Sequence, residues 1–185
     1  LRQKAHAHDV RAGVVVAVYL PSLWNDFVYD DHEVIVVQPP PESVGDLARL
    51  FAVDPRRTSS AQWADRWLGL DVGSDIALSN TIAREIIHAG LANRAFIDHA
   101  TEGYDAYAAS VEPFTLAEGE RLTGVPAGVI RETAHAFARA DRAMICWTLG
   151  ITEHHNAVDN VLGLINLALA TGHVGRYGSG LNPLR

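Results

Sequence analysis

The sequence predicts an α/β fold, a mostly parallel sheet flanked by helices, on three observations. Short apolar or β-branched runs alternate with amphipathic helical stretches from Arg49 onward. Each run stops abruptly at polar or turn-forming residues, and the helices carry recognisable starts and stops. At 185 residues and 20.1 kDa there is room for one ordinary domain, and a 48% apolar share is enough for a packed core.

Residues 1–47 read differently from the rest. They hold three basic and seven acidic side chains, the Pro39-Pro40-Pro41 break and two strand candidates, Val14–Tyr19 and Val34–Val37. About a dozen residues separate Val37 from the next run, Leu50–Val53, barely enough for a parallel crossover and interrupted by three prolines. Leu50–Val53 stops at Asp54-Pro55, as a buried parallel strand would. Thr58 is placed to cap a short helix through Ala64, and Trp67–Leu70 reads as another brief strand. Ser74 is then expected to cap a helix with Ile76, Ala77, Ile82, Ala83, Ile86 and Ile87 on one face, ending at Gly90. Asn93 opens a helix through His99.

Thr115-Leu116-Ala117-Glu118 has the form of a capping box. Pro126 suits the first turn of a helix running to about Ala140, with Val129, Ile130, Ala134 and Phe137 inward. Ala143–Trp147 is a third strand-like run, and a helix over 157–171 ends at Gly172. Gly175, Gly178, Gly180 and Pro183 imply an irregular tail.

Charge and cysteine usage exclude several classes. Fifteen Lys+Arg against 22 Asp+Glu leave a net charge of -7, which argues against holding nucleic acid through its phosphates. One cysteine, Cys146, excludes a disulfide framework or a Cys-built zinc or iron–sulfur site within these residues. The longest apolar stretches fall short of the roughly 18–20 residues of a membrane helix, so no membrane segment is expected and a cytoplasmic location is.

Ligands of such sheets bind beyond the carboxyl ends of the strands, and three strand ends here are polar. Asp54-Pro55-Arg56-Arg57-Thr58 offers two guanidiniums, a hydroxyl and a carboxylate, suited to phosphate and ribose; it is equally the composition of a solvated turn with a helix cap. Asp71-Val72-Gly73-Ser74-Asp75 puts a carboxylate where it can accept from guanine N–H groups, or simply charge-match a helix start. Thr148 to His155 combines a glycine permitting close backbone approach with Thr152, Glu153 and His154 as polar partners. His154, His155 and the more distant His173 lack a companion set at metal-ligand spacing, and no metal ligand is assigned. Cys146 sits inside an apolar run and reads as packing. No Walker loop, nucleophile elbow or strand-to-helix glycine fingerprint is present.

In order and at their separations, these segments resemble the molybdopterin oxidoreductases, specifically the catalytic subunit of molybdenum- or tungsten-dependent formate dehydrogenases. The resemblance runs from about Arg49 to Arg185. It is carried by Val53–Thr58, Gly73–Leu78, Thr101–Tyr104, Thr123–Pro126, Ile145–His154, Asn166–Leu169, Thr171-Gly172, Gly178–Gly180 and Asn182-Pro183-Leu184-Arg185. It implies that residues 48–185 are part of an α/β domain binding a molybdopterin guanine dinucleotide that carries Mo or W. Asp54 and Arg56 would lie at the guanosine and phosphate end, with Arg57 and Thr58 supporting. Asp75 would accept from guanine beside Gly73, and Leu149, Gly150, Thr152, Glu153 and His154 would line the cofactor. Arg185 would orient the carboxylate of formate.

The departures matter equally. The family's metal-ligating cysteine or selenocysteine and its N-terminal iron–sulfur motif are not found, and residues 1–47 do not match. The expectation is a piece of a larger enzyme, inactive alone. Its partners would be the remaining catalytic-subunit domains and electron-transfer subunits that carry the iron–sulfur clusters. The alternatives are a nitrate reductase or other molybdopterin oxidoreductase, or a non-catalytic nucleotide-binding or interaction module.

Overall fold

The structure is a computed structural model and describes residues 33–38 and 49–184. The Val14–Tyr19 run, the three-proline break and Arg185 lie outside the described residues. The described chain runs β1 (Glu33–Gln38), β2 (Arg49–Val53), α1 (Ser59–Trp63), β3 (Arg66–Leu68), α2 (Asp75–His88), α3 (Arg94–Ala100), α4 (Tyr104–Val111), α5 (Leu116–Thr123), α6 (Ala127–Arg139), β4 (Arg142–Trp147), α7 (Leu149–Thr152), α8 (Ala157–Thr171) and β5 (Gly180–Pro183).

The five strands form one sheet in the order β3-β2-β1-β4-β5. β2 pairs parallel with β3, and β4 parallel with β5. Between these halves β1 runs antiparallel to both β2 and β4, with Ile35 opposite Phe51 on one side and Ile145 on the other. An antiparallel neighbour needs no crossover helix, so the short, proline-broken link before β2 is no obstacle. The segment that the sequence sets apart thus contributes the central strand.

Burial explains the continuous apolar runs. Phe51, Ala52 and Val53 of β2, and Ile145, Cys146 and Trp147 of β4, are all buried, as strands covered on both faces must be. One core joins Phe51, Val53, Ile145 and Trp147 to Leu68 and Leu70, to Leu78, Ile82 and Ile86 of α2, to Ile130, Ala134 and Phe137 of α6, and to Leu164 and Leu167 of α8. α6 packs on β1 and β3, α8 on β5, and α2 touches α4, α5, α6 and α8.

α2 is held at close range by two glycines. A Cβ built on Gly119 of α5 would lie 2.5 Å from both Oγ1 and Cγ2 of Thr81, and one on Gly163 of α8 would lie 2.9 Å from Ser79 Oγ. The two hydroxyls fold back onto their own helix, Thr81 Oγ1 donating to Ala77 O at 2.7 Å and Ser79 Oγ to Ile76 O at 3.0 Å. Their hydrogen-bonding capacity is therefore met where no neighbour side chain reaches.

Several local expectations are corrected. Ser74 does not cap α2 with its side chain; its hydroxyl donates to Asp71 O at 2.6 Å instead. The capping box is half formed: Thr115 Oγ1 accepts from Glu118 N–H at 3.2 Å, but the Glu118 carboxylate turns to Arg121 and Thr115 N–H bonds Pro113 O. The predicted strand 67–70 shortens to Arg66–Leu68, and the tail read as irregular contains β5. α4 carries no sequence signal for its start: its N-cap is Gly103 at φ 73°, which offers no side-chain oxygen. α7, a single turn after β4, was also not expected from the sequence.

His173 is a buried structural residue, 1% exposed and edge-on to the Phe137 ring at 4.9 Å. Its Nε2 lies 2.9 Å from the Phe137 carbonyl, which can only accept, and its Nδ1 lies 3.1 Å from Arg176 Nη2, which can only donate. These partners impose the neutral Nε2–H tautomer and leave no ring nitrogen for a metal. Burial is the main cause that pushes its pKa below the ordinary 6.5, with the Arg176 charge adding to it and the Phe137 carbonyl and Asp141 opposing.

Two outcomes follow from this packing. Gly119→Ala is expected to cost about 1–3 kcal/mol in urea unfolding, because no rotation of Thr81 clears a methyl so close to its Cβ branch. Gly163→Ala is expected to fall within about 1 kcal/mol of zero, since Ser79 can swing aside and alanine favours the helix. For His173, the unfolded ring takes up protons more readily than the folded one. Stability is therefore fully present above pH 6.5 and falls as the pH drops through 6.5 towards the depressed folded value. A His173→Gln variant, which retains a donor for Phe137 O, should lack that loss when the two unfolding free energies are compared from pH 7.5 to 5.5.

Candidate functional site

The four strands β2, β3, β4 and β5 share one direction, so their carboxyl ends lie along one edge of the sheet. From β2 the chain crosses outward to β3, and from β4 it crosses outward to β5. Loops that diverge in this way leave a crevice between them, the place where open α/β sheets take ligands. A cleft of about 90 Å³ occupies that position, lined by Val53 at the end of β2 and Pro55 after it, Leu70, Val72, Gly73 and Asp75 after β3, and Gly150, Ile151 and His154 after β4.

Of the residues singled out from sequence, the fold brings Gly73, Asp75, Gly150 and His154 to this cleft. Gly73 has φ +84°, a conformation L side chains rarely adopt, and a Cβ there would meet no atom within 4 Å, so its backbone borders open space. Asp75 occupies the first turn of the 14-residue α2, whose start has no side-chain cap from Ser74. The helix dipole and first-turn amides there suit an anionic ligand group, while the carboxylate suits N–H donors. His154 is half-buried, and its carbonyl accepts from Ala157 N–H at 3.1 Å at the start of α8.

The Asp54–Thr58 turn is built differently from its expected role. Asp54 is 1% exposed, and its Oδ1 accepts from Arg56 N–H at 2.6 Å. Its own N–H donates to Leu68 O at 3.2 Å, and its carbonyl accepts from Trp67 Nε1 at 2.9 Å. Arg56 is exposed, with Nε 3.9 Å from Asp54 Oδ1; the Arg57 guanidinium lies 5.8 Å from the Trp67 ring centroid. Thr58 Oγ1 caps α1 by accepting from Ala61 N–H at 3.4 Å. None of Asp54, Arg56, Arg57 and Thr58 lines the cleft, and neither do Leu149, Thr152 and Glu153 of the β4 loop. Arg185 lies outside the described residues; Leu184 before it donates its N–H to Trp147 O at 2.7 Å, at the carboxyl end of β4.

Sequence reasoning missed the apolar lining, Val53, Pro55, Leu70, Val72 and Ile151. Their residue types match the core, and Val72 alone carried a signal, an isolated valine between Asp71 and Gly73 that is 79% exposed. Cys146 is buried, burial pushing its thiol up and a hydrogen bond with Asn182 pulling the other way, which fits the packing role read from its apolar run. Among the described residues no group of three His, Cys, Asp or Glu stands close enough to hold a metal ion. Glycine backbone and a helix start without a cap from Ser74 offer N–H donors at this edge, and the Asp75 carboxylate offers an acceptor, a combination that fits a phosphorylated group bearing N–H donors.

Comparison with known proteins adds the family. The family model described as molybdopterin oxidoreductase matches residues 41–185. The chain is 45% identical over 137 residues to the F420-dependent formate dehydrogenase 2 subunit alpha of Methanococcus maripaludis, covering 74% of this chain and 20% of that protein. It is 38% identical over 138 residues to formate dehydrogenase H of Escherichia coli, covering 75% and 19%. Among solved structures it is similar to acetylene hydratase from Pelobacter acetylenicus, with a TM-score of 0.68 and 29% identity over 70% of this chain and 18% of that one. The chain spans about a fifth of the length of the curated relatives it matches. By the reach of the family match and the identity to these relatives, it belongs to the molybdopterin oxidoreductases.

Proposed function

We propose that this chain is part of the catalytic subunit of a molybdenum- or tungsten-dependent formate dehydrogenase, and that its cleft holds the guanosine end of a molybdopterin guanine dinucleotide. The observation that carries the reading is the convergence of Pro55, Gly73, Asp75, Gly150 and His154 on one crevice at the carboxyl ends of β2, β3 and β4. The names of the relatives support formate as the substrate of the whole enzyme. When bound, the metal–pterin group supplies two-electron redox chemistry, and the electrons leave through iron–sulfur carriers outside this chain.

The chain's own residues bind and orient. Asp75 accepts from the adjacent N1–H and exocyclic amine of guanine, a pairing that adenine cannot offer. The first-turn amides of α2 and the open backbone at Gly73 face the phosphates. Gly150 and His154 form the wall from β4, and Leu149, Thr152 and Glu153 belong to the same loop without lining the cleft. Asp54 and Thr58 shape the turn beside Pro55, while exposed Arg56, together with Arg57, offers charge to phosphate from outside it. Arg185 is assigned the formate carboxylate by the resemblance of Asn182-Pro183-Leu184-Arg185; a permanent cation suits that clamp. On this reading residues 48–185 belong to the pterin-binding domain together with β1, which pairs into the same sheet from within residues 1–47, the remaining catalytic and electron-transfer parts are its partners, and the enzyme works in the cytoplasm. No helix among the described residues is long and apolar enough to cross a membrane.

The test is base selectivity. Calorimetric titration of the 185-residue chain should show guanosine diphosphate binding more tightly than inosine diphosphate, which lacks the exocyclic amine. Asp75→Asn should weaken guanosine diphosphate binding by about 1.5–3 kcal/mol and abolish the preference. A chain that does not distinguish the two nucleotides, or an Asn variant that still does, removes Asp75 from the role. Asp54→Ala is a poor binding probe, since it breaks the bond to Arg56 N–H at a buried site and should first lower the unfolding midpoint.

A further inference from the structure

We propose that Trp67 is a positioning residue: its indole clamps the turn that supplies the β2 wall of the cleft. Val53 and Pro55 line the cleft, and Asp54 is the residue between them. Two bonds from β3 seize Asp54, the Trp67 Nε1–H on its carbonyl at 2.9 Å and the Leu68 carbonyl on its N–H at 3.2 Å. Asp54 in turn holds Arg56 N–H, and the Arg57 guanidinium lies over the indole at 5.8 Å. One side chain thus engages both ends of the Asp54–Arg57 turn.

The ring reaches this place because Gly69 leaves room for it. A Cβ on Gly69 would lie 2.7 Å from Trp67 Cζ2 and 3.1 Å from Cε2, so the indole is folded back across the backbone just past the end of β3. Gly69 has no positive φ, and alanine there meets no backbone strain, only the ring. Trp67 is 37% exposed, more than core packing alone would leave, whereas its N–H is fully directed inward to Asp54. A tryptophan spent on a surface turn is explained by that one donor and by the ring face it offers Arg57.

The role in ligand binding rests on the guanosine-site reading above; the clamp itself does not. Both are read on the full 185-residue chain with Trp67→Phe, which keeps a ring and loses the donor, and Gly69→Ala, which keeps the indole and displaces it. Trp63→Phe, at a side chain 77% exposed on α1, is the control. Amide hydrogen exchange at Arg56 and Thr58 should accelerate about 5- to 10-fold in both variants, with Ile82 and Ile86 of α2 unchanged. Affinity for guanosine diphosphate should fall about 3- to 10-fold in both, and the control should match the parent in both readouts. Unchanged exchange at Arg56 and Thr58 in the variants overturns the clamp. Faster exchange with undiminished nucleotide affinity overturns its service to the site. If the parent chain binds no guanosine diphosphate, the guanosine reading fails and the exchange comparison alone decides the clamp. Should Trp67→Phe unfold, faster exchange everywhere reveals it, and Gly69→Ala carries the comparison.

Discussion

The close seating of α2 is the constraint on which the other elements depend. Its apolar face, Leu78, Ile82 and Ile86, enters the core, while Ser79 and Thr81 press against glycines of α8 and α5. Those glycines allow helix backbones to approach more nearly than any side chain would permit. With α2 fixed between α4, α5, α6 and α8, its amino end has one position, and Asp75 is carried to the cleft with it. The carboxylate is placed by the packing of the opposite face of its helix.

The sheet determines where a ligand can sit. β1 divides it into two parallel halves whose crossovers run outward in opposite directions, β2 to β3 and β4 to β5. The loops after β2 and β4 therefore diverge over the carboxyl edge and leave the crevice between them. Buried polar side chains stabilise this arrangement from below. Asn160, 2% exposed, donates from Nδ2 to Ile151 O at 3.1 Å and so ties α8 to the α7 turn that lines the cleft. His173 ties the end of α8 to α6 through the Phe137 carbonyl.

The accuracy of the sequence reading followed the range of the forces involved. Thr58, Asn93 and Gly172 were legible as caps because a side-chain oxygen or a positive φ acts within three or four residues. The Ser74 and Glu118 side chains were misread because each had a competing partner close by, the Asp71 carbonyl and the Arg121 guanidinium. α4 escaped notice because Gly103 provides no capping atom and only Val111 is buried. β5 escaped because a short strand with two glycines before it is defined by its neighbour, β4, rather than by its own composition.

For the site, residue types and their local order were sufficient to mark three polar strand ends and the family they resemble. Asp75, Gly73, Gly150 and His154 were all named from loops adjoining apolar runs, since a sheet must place such loops at its edge. Which of the marked residues face the crevice was decided only in three dimensions. Asp54 is the same residue type as Asp75 and lies closer to a strand end, yet it is buried under Trp67 as a structural brace. The difference arises from a contact between β2 and β3 across 13 residues, set by indole reach and the missing side chain at Gly69. The sequence by itself determined the alternation of strands and helices, most of the caps and the family, because those depend on neighbours in the chain. The tertiary structure decided the direction of β1, the placement of the two aspartates and the apolar lining, because those depend on partners that only folding brings together.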